Sequence, residues 1–417
     1  MHVTTYEEIR AYIQDLSIID THEHLPSQQG GQRQHPDILA EYISHYFRYD
    51  LFSSGLSQEL YAKALDSDIP LLERWDILEP YWESCRFTGY GRQLDATAME
   101  LYGVAGITRE NISELNEQYS KQISNKLYIA ELFKRMNIET CINDTENYQC
   151  DYDNPYTHPA CRIDRLVNPN SEQELRKIAR IAGIRIDSFA QYIDACQIIV
   201  KQAIARGAKA LKLGLSYTRS LSFPLTDYHT AKESSRAYLE GSTPEMEPAA
   251  QHYILHAILS VANQEGWNIQ VHTGLQAGNG NYLCNSDPLL LTNLFLAYPQ
   301  AKFHLLHIGY PYQGQLAVLV KSFPNVLVDM SWAHVVSPHS SIQFLEELLE
   351  TVPSNKILAF GGDSKVIDLV AGHVRMAKDN ISACLSRLIE AQRIDKDQAK
   401  MLSKKLLYNN PKHAFEL

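Results

Sequence analysis

His22 and His24 stand two residues apart, directly after the apolar run Ile18-Ile19-Asp20. Side chains alternate along a strand, so both imidazoles can turn to one face and toward one ion. Three more candidate ligands each close a short apolar run. His272 ends Asn268–His272, His307 ends Lys302–His307, and Asp363 follows Ile357–Gly362. A single histidine in such a place more often just satisfies a hydrogen bond, and an HxH pair alone is common. Four histidines and an aspartate, all at expected strand ends, make coincidence a poor explanation. Imidazole and carboxylate donors suit a divalent metal; zinc is expected first, with manganese or iron as alternatives, as one or two ions. Such an ion lowers the pKa of bound water toward about 7 and polarises a carbonyl. With Asp363 taking the water's proton and His307 holding a second ion or an oxyanion, the expected chemistry is hydrolysis of an amide or lactone type C–N or C–O bond.

Lys212 interrupts the apolar run Ala210–Leu213. A buried lysine is costly unless neutralised or paired. Three readings stay open: a carbamate bridging two metals, a cation holding a substrate carboxylate, or a side chain that snorkels to the surface. If the carbamate is absent, one ion on His22, His24, His272 and Asp363 is expected. Tyr217 and Arg219 follow in the same stretch, and Arg219 offers a planar fork for a substrate carboxylate. The competing reading pairs Arg219 with an acidic neighbour such as Asp227. Trp332 is a further substrate-binding candidate. His334, His339 and His373 read as supporting or surface residues rather than ligands.

These residues need a frame that brings strand ends together. Short apolar runs are expected as strands at Ser17–Asp20, Glu139–Asn143, Arg162–Val167, Ala208–Gly214, Asn268–His272, Lys302–His307, Val326–Met330 and Ile357–Gly361. Most precede helical patterns, which implies parallel βαβ units and, at eight strands, a distorted TIM-like (β/α)8 barrel with its chemistry at the C-terminal strand ends. The expected organisation is a single barrel over 1–417, with a helical insertion or cap at 26–137 after the first strand. That insertion is rich in aromatics, among them Tyr42, Tyr46, Phe47, Trp75, Trp82 and Tyr90. They read first as the core of a helical subdomain and second as a cap with a few rings facing substrate. Ser222–Pro248 reads as a lid or a solvated loop.

Asp20-Thr-His-Glu-His24, Lys212, Val271-His272, Leu306-His307 and Gly362-Asp363 together resemble the amidohydrolase superfamily in identity and order. The resemblance spans residue 17 to the end. It implies a distorted (β/α)8 barrel with ligands on the first, fifth, sixth and eighth strands and, often, a carboxylated lysine on the fourth. The run Lys212–Leu221 is similar to the amidohydrolase-2 branch, and the insertion after the first strand resembles that of uronate isomerases. The latter likeness implies an alternative to hydrolysis, proton transfer in a sugar acid; decarboxylation of a small acid is another. A barrel kept only for binding is disfavoured, because every ligand position is filled.

With 417 residues and a net charge of -11, the chain is long enough for a sizeable core and lacks a basic stripe. That argues against nucleic acid or membrane as partner. A small-molecule substrate bearing a carboxylate is expected from Arg219, because the net negative charge repels an anion unless a local cation receives it. A homo-oligomer is expected. Seven cysteines without a CxxC pair suit a reducing compartment, and the polar N-terminus has no signal-peptide pattern, so a cytoplasmic location is expected.

Overall fold

The computed structural model describes residues 4–26, 35–122, 125, 127–150 and 156–417. Residues 27–34, 123, 124 and 126 of the expected insertion lie outside the described residues. The strands are β1 (Ile18–Glu23), β2 (Ile138–Asp144), β3 (Thr157–Arg162), β4 (Ala210–Leu213), β5 (Asn268–Val271), β6 (Lys302–Leu305), β7 (Val326–Asp329) and β8 (Ile357–Leu358). They follow one another in a single eight-stranded sheet in chain order. From β3 through β7 the pairing is parallel, with Arg162 opposite Lys212, Lys212 opposite Gln270 and Gln270 opposite His304. This is the expected (β/α)8 barrel. It is uneven, with seven residues in β2 and two in β8.

Two elements differ from the sequence reading. The third strand ends at Arg162, where it was expected to begin, and Asp164–Val167 is a helical turn. Leu166 and Val167 are buried there, and a short apolar run does not distinguish strand from helix by its periodicity. Within the polar stretch 222–248, Tyr228–Leu239 forms a helix, started by the Asp227 carboxylate accepting from Thr230 N–H at 3.0 Å.

The chain divides into two compact units. The first comprises Met1–Cys141, Ala277–Asn281 and Met330–Pro411; the second comprises Ile142–Gln276, Tyr282–Asp329 and Lys412–Leu417. In the first, the described residues after β1 form helices Ile38–Ile43, Phe47–Ser53, Gln58–Leu65, Leu71–Cys85, Gly89–Tyr102, Ile112–Gln122 and Tyr128–Met136. Tyr42, Phe47, Trp75 and Trp82 pack its core with Val366 and Leu369. Trp82 sits edge-on to Phe47 at 4.9 Å and tilted against Trp75 at 5.0 Å. A buried ion pair, Arg74 to Asp37 at 2.8 Å, ties two of these helices, while the same aspartate caps Ala40 N–H. In the second unit, helices Glu172–Ala182, Phe189–Ala205 and Pro248–Gln264 each have a buried apolar face. No helix among the described residues is long and apolar enough to cross a membrane. All seven cysteines are free thiols.

Candidate metal centre

β1 is buried along its whole length, and its last turn outward brings His22 and His24 to one side. Their rings lie 5.0 Å apart and nearly perpendicular. Asp363 Oδ1 lies 3.4 Å from His22 Nε2 and 3.1 Å from His24 Nε2. Among the described residues, these three form the one set whose ligand atoms all lie within 4.8 Å of one another. Metal–ligand bonds of 2.0–2.2 Å in tetrahedral geometry place neighbouring ligand atoms about 3.3 Å apart. The two observed separations match that spacing, and two imidazole nitrogens with one carboxylate are a donor set for a divalent transition ion. The residues therefore fit a metal.

Asp363 is held unusually for an L-residue. Its φ is 51°, in the left-handed region that costs a non-glycine residue about 1–3 kcal/mol. Several partners hold it there. Its N–H donates to His22 O at 2.8 Å, and the Tyr46 hydroxyl lies 2.7 Å from its carbonyl and 3.0 Å from its Oδ2. Tyr46 in turn packs against Trp332 at 4.5 Å and Tyr90 at 5.6 Å. Trp332 is thus buried behind Tyr46, one ring away from the aspartate. His45 accepts from Lys365 N–H at 3.2 Å through Nε2, and burial pushes its pKa down to about 3, so it is neutral with its proton on Nδ1.

Beneath the histidines lie two more carboxyls. Burial raises Asp20 to about 7, against the lowering effect of its hydrogen bond with Glu23, and burial with the Asp20 carboxyl beside it holds Glu23 well above the usual carboxylate range. Two carboxyls so deeply placed do not both ionise. His373 donates from Nδ1 to Gly362 O at 3.0 Å and is kept neutral by burial, with its pKa near 3. His334 is a satisfied core histidine: Nε2 meets Ala359 O at 2.9 Å and Nδ1 meets Asn380 at 3.3 Å. His339 is exposed.

In the second unit, His272 and His307 face each other, Nδ1 to Nε2, at 2.9 Å. The other His272 nitrogen reaches Leu275 O at 2.8 Å, so both of its ring nitrogens are engaged within this unit. His307 has a φ of 65°. Tyr217 lays its ring on His272 at 4.7 Å. Lys212 is buried on β4. Arg219 does not present its fork outward, as was expected. Its guanidinium meets Ser220 O, Gln251 Oε1, Ser222 O and His252 Nε2 at 2.7–3.1 Å and stacks on Phe223 at 4.4 Å. The expected competitor, Asp227, caps a helix instead. Sequence reasoning treated Tyr46 as one insertion aromatic among many and gave Asp20, Glu23 and His45 no role. Nothing in their spacing marks them.

A sequence model of the Amidohydro_2 family, described as amidohydrolase, matches residues 194–412. The chain belongs to the amidohydrolase family. Members of this family characteristically hold a divalent ion, and this amidohydrolase carries the His22, His24 and Asp363 set described above. Along its length it is similar to uronate isomerase of Caulobacter vibrioides, 23% identical over 98% of this chain and 91% of the relative. It is also similar to uronate isomerase of Phenylobacterium zucineum, 22% identical over 97% and 92%. The crystal structure of a uronate isomerase from Thermotoga maritima shares the fold, with a TM-score of 0.80, 16% identity, and coverage of 99% and 97%. These relatives overturn the hydrolysis expected for this amidohydrolase. The two curated relatives named above match nearly the whole chain and are isomerases, and they favour the alternative of proton transfer in a sugar acid.

Proposed function

We propose that this amidohydrolase is a metal-dependent isomerase of a uronate, interconverting the aldehyde and ketone forms of a sugar acid. The full-length similarity to uronate isomerases carries this reading. The chemistry moves one proton between adjacent carbons and another between their oxygens. It therefore needs a group that exchanges protons beside the reacting carbons, and no attacking water. His22, His24 and Asp363 would hold the ion, for which zinc is proposed, with manganese or iron as alternatives. The ion, when bound, polarises the carbonyl and its neighbouring hydroxyl.

Asp363 presents Oδ1 to the two histidines and Oδ2 to the Tyr46 hydroxyl. Oδ2 is thus the oxygen placed to accept a proton, and Tyr46, at 3.0 Å, is the group placed to exchange it. Trp332 and Tyr90 pack against Tyr46 and restrict its ring. From the sequence, His272, His307 and Lys212 are carried forward as candidate metal ligands, Lys212 alternatively as the cation for a substrate carboxylate, and Tyr217 as a candidate substrate contact.

The test is to incubate zinc-loaded protein with glucuronate and other uronates in deuterated water and follow the sugars by NMR. The proposal expects a ketose product, with deuterium entering at the carbon beside the carbonyl. Failure of every uronate to yield a ketose, under conditions where the protein holds its metal, would contradict it.

A further inference from the structure

Asp363 sits in the middle of a tripeptide whose backbone groups are all spoken for. Gly362 N–H donates to Asp20 Oδ1 at 3.1 Å, and its carbonyl meets His373 Nδ1 at 3.0 Å. Asp363 N–H donates to His22 O at 2.8 Å, and its carbonyl accepts from Tyr46. Ser364 N–H donates to Glu23 Oε2 at 2.7 Å, and its carbonyl accepts from His24 N–H at 3.2 Å. Three consecutive amides are thus received by β1. The outer two end on the carboxyls of Asp20 and Glu23, the residues that bracket His22 in sequence. Asp20 Oδ1 also accepts from His22 N–H at 3.1 Å, so one oxygen ties the backbone of His22 to that of Gly362, the neighbour of Asp363. All of these residues lie in the first unit.

We propose that Glu23, with Asp20, is a positioning residue for the metal: it holds the strained Asp363 backbone so that its carboxylate meets the two histidines at ligand spacing. Neither side chain offers an atom to the ion. Their work is to fix where the third ligand stands, and a loop held by fewer bonds would relax out of the left-handed conformation. Gly362 reports on the same contact. A methyl group there would overlap the Glu23 carboxyl, whose atoms are the nearest three to it. The glycine is needed because Glu23 fills the space its side chain would take, since its own φ is not in the left-handed region.

The experiment measures metal affinity, independent of any turnover and of the isomerase reading. Chelator-stripped protein is titrated with zinc against a competing chelator, and with cobalt while its visible spectrum is recorded. Partners that orient metal ligands typically change affinity by about 10–100-fold when removed. Glu23→Ala should weaken zinc by that factor and alter the cobalt spectrum, while Glu23→Gln, which keeps an oxygen for Ser364 N–H, should bind within about threefold of the wild type. Gly362→Ala should weaken zinc in the wild-type background and much less in the Glu23→Ala background. The proposal is overturned if Glu23→Ala binds zinc like the wild type, if Glu23→Gln loses as much as Glu23→Ala, or if the glycine substitution costs the same in both backgrounds. Should Glu23→Ala not fold, Gly362→Ala decides alone, and wild-type affinity in that variant overturns the proposal.

Discussion

The Tyr46 hydroxyl touches both the carbonyl and the carboxylate of Asp363. One phenol therefore helps hold the ligand's backbone and stands ready at the oxygen not turned to the histidines. Tyr46→Phe removes one bond that holds Asp363, so it should weaken zinc by about 10–100-fold and, once saturated with zinc, lower kcat for uronate isomerisation by about a hundredfold, the scale of lost acid–base assistance. Turnover near wild type in a metal-loaded variant would remove Tyr46 from the proton path. Arg219 leads to the opposite prediction. Its guanidinium is already engaged by loop carbonyls, Gln251 and His252, and burial lowers its pKa only to about 10, so it stays charged. Arg219→Met should lower unfolding stability by about 1–3 kcal/mol. It should change KM for charged and neutral substrates alike, and a selective loss for the charged form would return it to substrate binding. At this scale the clustered side chains of His22, His24 and Asp363 were legible, because each stands at or just past the end of a short apolar run. Tyr46, Asp20 and Glu23 were not. Their roles come from backbone partners 317 to 342 residues away in the chain, which no local spacing reveals.

The strands were legible as short apolar runs, and all eight are present. The third was misplaced because Leu166 and Val167 are as apolar in their helical turn as strand residues would be. The insertion's helices were legible from their periodicity, and its aromatics divide in the structure into core, such as Trp75 and Trp82, and site, such as Tyr46. Barrel elements also bury histidines that serve packing alone. On β6, His304 meets Asn268 Oδ1 at 3.0 Å and lies against Phe415, and burial lowers its pKa to about 3; His334 is lowered to about 4. Both are neutral when folded, whereas an unfolded histidine titrates near 6.5. Below about pH 6.5 the unfolded chain therefore binds the extra proton, so their contribution is complete above that pH and is lost as pH falls toward the folded values. Each should cost up to about 1.4 kcal/mol per pH unit over that window. Urea unfolding at pH 7.5 and 5.5 should show this loss, and His304→Gln should show it reduced by one histidine's share. An unchanged pH dependence in the variant would mean that His304 is already protonated in the folded protein.

For the molecule as a whole, fold and family were readable from ligand order along the chain, but the reaction was not. Hydrolysis and isomerisation both use a metal that polarises a carbonyl, and His22, His24 and Asp363 serve either one. What separates them is whether water or a side chain meets the substrate carbon, and this depends on the surroundings of the ligands, not on the ligands themselves. On the proposed isomerase reading, an acidic protein of net charge -11 must also accept an anionic sugar acid, which calls for a local cation to receive its carboxylate.

The central claim is that uronate isomerisation runs on an ion held by His22, His24 and Asp363. It is tested most directly by stripping the protein with chelator, returning zinc in graded amounts and measuring ketose formation from a uronate against metal bound. Activity should be absent in stripped protein, rise in proportion to bound zinc, and stay absent in Asp363→Asn at zinc levels that saturate the wild type. Isomerisation that persists in the stripped protein, or survives in Asp363→Asn, would contradict the account.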